Sequence, residues 1–112
     1  MKIVSLIDLP DEPVSHNPEI KKRVLLKGED FPTCITTFAQ ARFKAGQSAG
    51  AHAHDHMYEV FLVEQGEGLI RVEGEELQVT AGTCAVVEPG ETHDIINSGS
   101  VDLVVTYFGM KT

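Results

Sequence analysis

Apolar and polar residues alternate with a period of two along most of the chain, and no useful stretch carries the spacing of an amphipathic helix. Residues 33–43 (TCITTFAQARF) are β-branched and aromatic, without glycine or proline, and predict a long strand. Residues 58–64 predict a second. There Glu59, Phe61 and Val63 share one face and Tyr58, Val60 and Leu62 the other; both faces are largely apolar, as expected of a strand between two packed layers. Further extended segments are expected at 20–27, 51–54, 69–72, 77–80, 83–87, 92–97 and 101–108. Between them lie turn-rich stretches at 28–32, 44–50, 65–68, 73–76 (a hairpin signal), 81–82, 88–91 and 98–100. Residues 2–9 alternate weakly and predict a first strand. Residues 10–18 hold three of the five prolines and read as an irregular surface arm. Short strands with a turn every eight to twelve residues indicate an all-β sandwich or barrel.

With 112 residues, the whole chain (1–112) is expected to form one domain, its first 19 residues being the strand and the arm. Seventeen acids against nine bases give a formal charge of −8, which argues against nucleic acid and an anionic membrane surface as partners. The basic run Lys21-Lys22-Arg23 reads as a solvated strand edge. No apolar run is long enough to span a bilayer, and residues 1–9 are too short and too acidic for a secretory signal. Cys34 and Cys84 lie in apolar β-like runs and are expected as buried thiols, not as a disulfide. A cytoplasmic protein is the expectation.

Chemistry concentrates between residues 46 and 97. His52 and His54 are two apart, so on an extended segment both imidazoles point to one side. Glu59 follows, and His93 comes from a second glycine-bracketed stretch. Three histidines and one carboxylate suit a transition metal; calcium and magnesium prefer oxygen ligands, and no thiolate joins the group as in a closed zinc site. Iron, manganese, nickel, copper, cobalt and zinc all remain open. Four protein ligands on a six-coordinate ion leave two positions for a substrate or dioxygen.

His56 continues the parity of His52 and His54, as a spare ligand or proton shuttle, but a turn at residues 55–57 would place it at the rim, and the rim is preferred. His16 has no metal-spaced neighbour and reads as solvated. Tyr58, Tyr107, Phe38, Gln40 and Arg42 are candidates for the pocket wall. Phe38, Gln40 and Arg42 share one parity, and for Arg42 an outer-face position is slightly favoured over holding a substrate carboxylate. Cys84 is read as packing. Asp94, of opposite parity to His93, should face away from the site.

The two stretches resemble the paired motifs of the cupin superfamily, in its small single-domain form. Gly46, His52, His54, Glu59 and Gly66 match the first motif at every spacing; Gly82, Gly90, His93 and Asn97 match the second, with Glu88 where proline is usual. The resemblance implies a jelly-roll β-barrel whose two-motif core is residues 46–97. It implies metal ligands at His52, His54, Glu59 and His93, glycines at strand-joining turns with positive φ, and a hydrogen-bonding role for Asn97. It also suggests a homodimer, in which strand 2–9 could cover a neighbour's sheet edge. Two functions follow, the enzyme as the first reading and the module as the alternative. One is a metal-dependent enzyme on a small organic substrate, either a dioxygenase or a Lewis-acid isomerase or lyase, with His56 or Tyr58 as candidate base. The other is a non-catalytic module binding a metal or small ligand.

Overall fold

The computed structural model describes residues 1–30 and 33–112. Nine strands account for the alternating segments: β1 (Glu12–Val14), β2 (Asn17–Lys27), β3 (Ile35–Phe43), β4 (Met57–Gln65), β5 (Glu67–Val72), β6 (Glu75–Thr80), β7 (Cys84–Val87), β8 (His93–Ile96) and β9 (Leu103–Lys111). They form a six-stranded sheet in the order β1-β2-β3-β9-β4-β7 and a three-stranded sheet in the order β6-β5-β8, with every pairing antiparallel. The two sheets face each other as in a jelly roll. Between them lie Ile20, Phe43, Phe61, Val63, Ile70, Ile95, Leu103 and Val105, all buried. The period-two pattern decides which residues go in: on β4, Glu59, Phe61 and Val63 are buried while Tyr58 and Leu62 are exposed.

The motif glycines lie at turns. Gly46, Gly66, Gly82 and Gly90 all have positive φ, between 82° and 92°. At Gly66 space is limiting as well, since a Cβ there would sit 2.5 Å from the Asp102 carbonyl oxygen. Asn97 has the structural role expected of it. Buried at the end of β8, it donates to the Phe43 and Val101 carbonyls (3.0 and 2.8 Å) and accepts from the Gly99 N–H at 2.9 Å.

Several expectations are corrected. Residues 2–9 are not a strand; they run irregularly into a 3-10 turn at Leu6–Asp8 and leave Ile3 and Ile7 exposed. An edge of the six-stranded sheet is formed by β1, inside the segment read as irregular, where Pro13 is tolerated because an edge strand does not need every N–H. The turn expected at 28–32 includes a 3-10 turn at Gly28–Asp30, and residues 31–32 lie outside the described residues. Residues 51–54 form no strand, only a single bridge between His52 and His93. Cys34 and Cys84 are free, as expected, but exposed: Cys34 precedes β3, and Cys84 points outward from the edge strand β7, opposite Leu62.

The outer face of β4 is uncovered in the single chain, so β4 is not held between two layers. Phe38, Phe108, Val60 and Val86 stand side by side in register on that face. Tyr58, Leu62 and Val86 are 37%, 38% and 58% exposed.

Candidate metal centre

His52, His54, Glu59 and His93 come together although His52 and His54 lie on no strand and Glu59 and His93 lie on different ones. Residues 46–52 run antiparallel beside β8, through Gly46 N–H to Asn97 O (3.0 Å), Asn97 N–H to Gln47 O (2.9 Å) and Ala49 N–H to Ile95 O (3.0 Å). The track ends in a reciprocal pair, His52 N–H to His93 O (3.0 Å) and His93 N–H to His52 O (2.8 Å), which sets the two histidines directly opposite each other. Asp94 braces this track from behind. Its carboxylate lies 2.9 and 2.8 Å from Ser48 Oγ and accepts the Gly50 N–H at 3.0 Å. It faces away from the imidazoles, as its parity implies, yet it is buried and ties residues 48–50 to β8. Glu59 reaches the cluster from the opposite sheet, on the inward face of β4.

One potential ligand atom from each of the four residues falls within 4.8 Å of the other three. Glu59 Oε1 is 3.1 Å from both His54 Nε2 and His93 Nε2. Adjacent donors on an ion with bonds of ~2.1 Å are separated by roughly 3 Å, so these two separations suit neighbouring ligands on one ion. The tautomers fit too. His52 Nδ1 lies 2.7 Å from the Gly50 carbonyl and His93 Nδ1 3.0 Å from the Glu91 carbonyl. A carbonyl only accepts, so both Nδ1 atoms carry hydrogen, which leaves Nε2 to bind a metal. Glu59 is 7% exposed, and among the described residues no lysine or arginine pairs with it. A buried carboxylate facing only imidazoles calls for a cation. The residues therefore fit a divalent transition ion.

Electrostatics separate the histidines. Burial disfavours the charged form of His93, but hydrogen bonds to Glu59 and to the Glu91 carbonyl, with the charges of Glu59 and Asp94, outweigh it and raise its pKa above 6.5. His52 is lowered, chiefly by burial and then by the neighbouring histidines, against the opposing Gly50 hydrogen bond.

The cluster borders a cavity of about 180 Å³ between the sheets. Phe43, Phe61, Ile95 and Val105 give it apolar walls; His16, Lys22 and Tyr107 add polar groups, and Glu59 is its one carboxylate among the described residues. His16 was read as solvated. It is exposed, as expected, and the β1–β2 turn also lays its ring on His52, with centroids 3.8 Å apart and planes 20° apart. No short-range spacing announces a contact between residues 36 positions apart. Burial, then His54, lowers its pKa.

Tyr107 lines the cavity as proposed, stacked on Phe61. Burial, with the charges of Glu59 and Glu12, pushes its pKa up to about 12, so the phenol stays protonated. The other wall candidates do not reach the cavity. Gln40 bonds Glu64 and Thr106, Arg42 pairs with Asp102 on the outer face, and Phe38 packs edge-on against Phe108. His56 and Tyr58, the candidate bases, are exposed outside it.

The profile of the family described as "Cupin domain" matches residues 39–108. The chain belongs to the cupin family. Among curated proteins, it is similar to an oxalate-binding protein of Thermotoga maritima, 31% identical over 85 residues, which are 76% of this chain and 70% of that one. Its cupin fold also matches solved structures. A predicted oxalate decarboxylase of Thermotoga maritima superposes with a TM-score of 0.92 at 24% identity, over 99% of this chain and 100% of the other. The polyketide cyclase RemF of Streptomyces resistomycificus gives 0.83 at 19% identity, over 98% and 79%. At such identities the structural matches speak to the barrel alone.

Proposed function

We propose that this cupin binds a compact carboxylate of the oxalate class at one divalent transition-metal ion held by His52, His54, Glu59 and His93. The observation that carries the reading is the convergence of three imidazoles and a buried carboxylate within 4.8 Å, at the wall of a cavity of about 180 Å³. A cavity of that size has room for a small organic acid. The name of the oxalate-binding relative supports the same ligand class. When bound, the ion supplies positive charge and Lewis acidity toward a carboxylate oxygen. The chain does the rest: Glu59 offsets part of the charge, Phe43, Phe61 and Val105 keep bulk water from the ligand, and the Gly50 and Glu91 carbonyls hold two imidazoles in register.

Binding without turnover takes precedence, because His56 and Tyr58 lie away from the cavity. The enzyme reading, as a Lewis-acid lyase or isomerase or as a dioxygenase, keeps one structural support: His16 stands at the cavity with its ring against His52. The deciding experiment loads the protein with each candidate metal, titrates oxalate and malonate by calorimetry, and follows carbon dioxide release and oxygen uptake. Binding without either gas change supports the module, and sustained turnover supports the enzyme. Failure of every metal-loaded form to bind either acid overturns the proposal.

A second copy of the chain is the proposed cover for the outward row of Phe38, Phe108, Val60 and Val86, which forms a homodimer face. Two exposed free thiols suit a reducing compartment, so the proposed location is the cytoplasm.

A further inference from the structure

Lys22 and Tyr107 are among the polar groups left over at the cavity once the metal centre is assembled. Lys22, on the inward face of β2, lines the cavity, and among the described residues its ammonium makes no hydrogen bond or ion pair. Tyr107, on the inward face of β9, lines it too; its hydroxyl makes no hydrogen bond to the described residues and stays within reach of solvent or a ligand. The strand between them, β3, places Ala41 opposite Lys22 and Ala39 opposite Tyr107. Two methyl groups therefore lie where longer side chains would fill the gap. Neighbouring strands are ~4.8 Å apart, so β2 and β9 are separated by roughly 10 Å, and the two long side chains reach into that space from either side.

The chemistry of this wall is that of an anion site. An ammonium and a phenol hydroxyl that line one cavity without a protein partner are free to donate to an anion that enters it. Glu59, the cavity's one carboxylate, belongs to the metal centre. Glu12 stands opposite Lys22 on β1 and is the competing acid, but it forms no ion pair with Lys22 and does not line the cavity. The phenol of Tyr107 remains a donor at neutral pH.

We infer that Lys22 and Tyr107 hold the carboxylate that points away from the metal centre, so that the site selects compact dicarboxylates over monocarboxylates. This rests on the metal-dependent carboxylate binding proposed above. Lys22, read from the sequence as a solvated strand edge, becomes a specificity residue.

The test is calorimetry on the metal-loaded wild type, Lys22→Met and Tyr107→Phe with oxalate, malonate and acetate, with metal content and circular dichroism recorded for each protein. Both variants keep the side-chain bulk and lack only the donor. Each is expected to hold its metal, to bind acetate as the wild type does, and to bind oxalate about tenfold more weakly or worse. Unchanged oxalate affinity in variants that retain metal overturns this inference and leaves the proposed function standing. A wild type that binds neither dicarboxylate overturns both. Lys22 is half-buried and outside the apolar core, so Lys22→Met carries the test alone if Tyr107→Phe fails to fold.

Discussion

Asp94→Ala probes how the site is positioned without touching a ligand. The side chain is buried and holds two groups of the segment leading to His52, the Ser48 hydroxyl and the Gly50 N–H, at 2.8 to 3.0 Å. Hydrogen bonds to a charged acceptor contribute about 1.5 kcal/mol each at the low end, so losing both costs about 3 kcal/mol. A domain of this size has on the order of 5–15 kcal/mol in all, so the variant should fold, with a lower urea midpoint. The displaced segment carries His52, and loss of such an outer brace lowers metal affinity by about 10- to 100-fold. Asp94→Asn, which can still accept from Gly50 and bond Ser48, should recover most of both losses. Affinity is read by competition with a chromophoric chelator. Wild-type metal affinity in a folded Asp94→Ala protein would refute the brace.

Two further predictions follow from the same geometry. In the metal-free protein, histidine proton resonances should show His93 titrating above 6.5 and His16 and His52 below it. The stability His93 contributes is full below 6.5 and is lost as pH rises through its raised folded pKa; metal capture, which must displace that proton, runs the other way and weakens as pH falls through the same window. A His93 titrating with His52 would contradict this. Val60→Lys places a charge in the middle of the outward row and should convert a dimer to a monomer by light scattering, with metal content unchanged; a Val60→Lys protein of wild-type mass would count against that interface.

The parity of side chains on strands made much of this molecule legible. Glu59, Phe61 and Val63 had to share a face; His52, His54, His93 and the turn glycines were legible through the resemblance to the cupin motifs, since residues 51–54 form no strand. What stayed hidden depends on which strands become neighbours. The contact of His16 with His52 needs the β1–β2 turn folded over the cavity. The exposure of Lys22 to the cavity needs alanines at 39 and 41 on the strand beside it. Cys34 and Cys84 sit in apolar runs, yet β7 is an edge strand and β3 begins after Cys34, so both thiols emerge in solvent. Residues 2–9 alternate only weakly and form a 3-10 turn, not a strand.

Elemental analysis of protein purified without chelator, after expression in media supplemented with each candidate metal, bears most directly on the cluster. About one equivalent of a single transition metal per chain is expected in the wild type, with strong loss in both Glu59→Ala and His93→Ala. Full occupancy in both folded variants would show that the ion, if any, is held elsewhere.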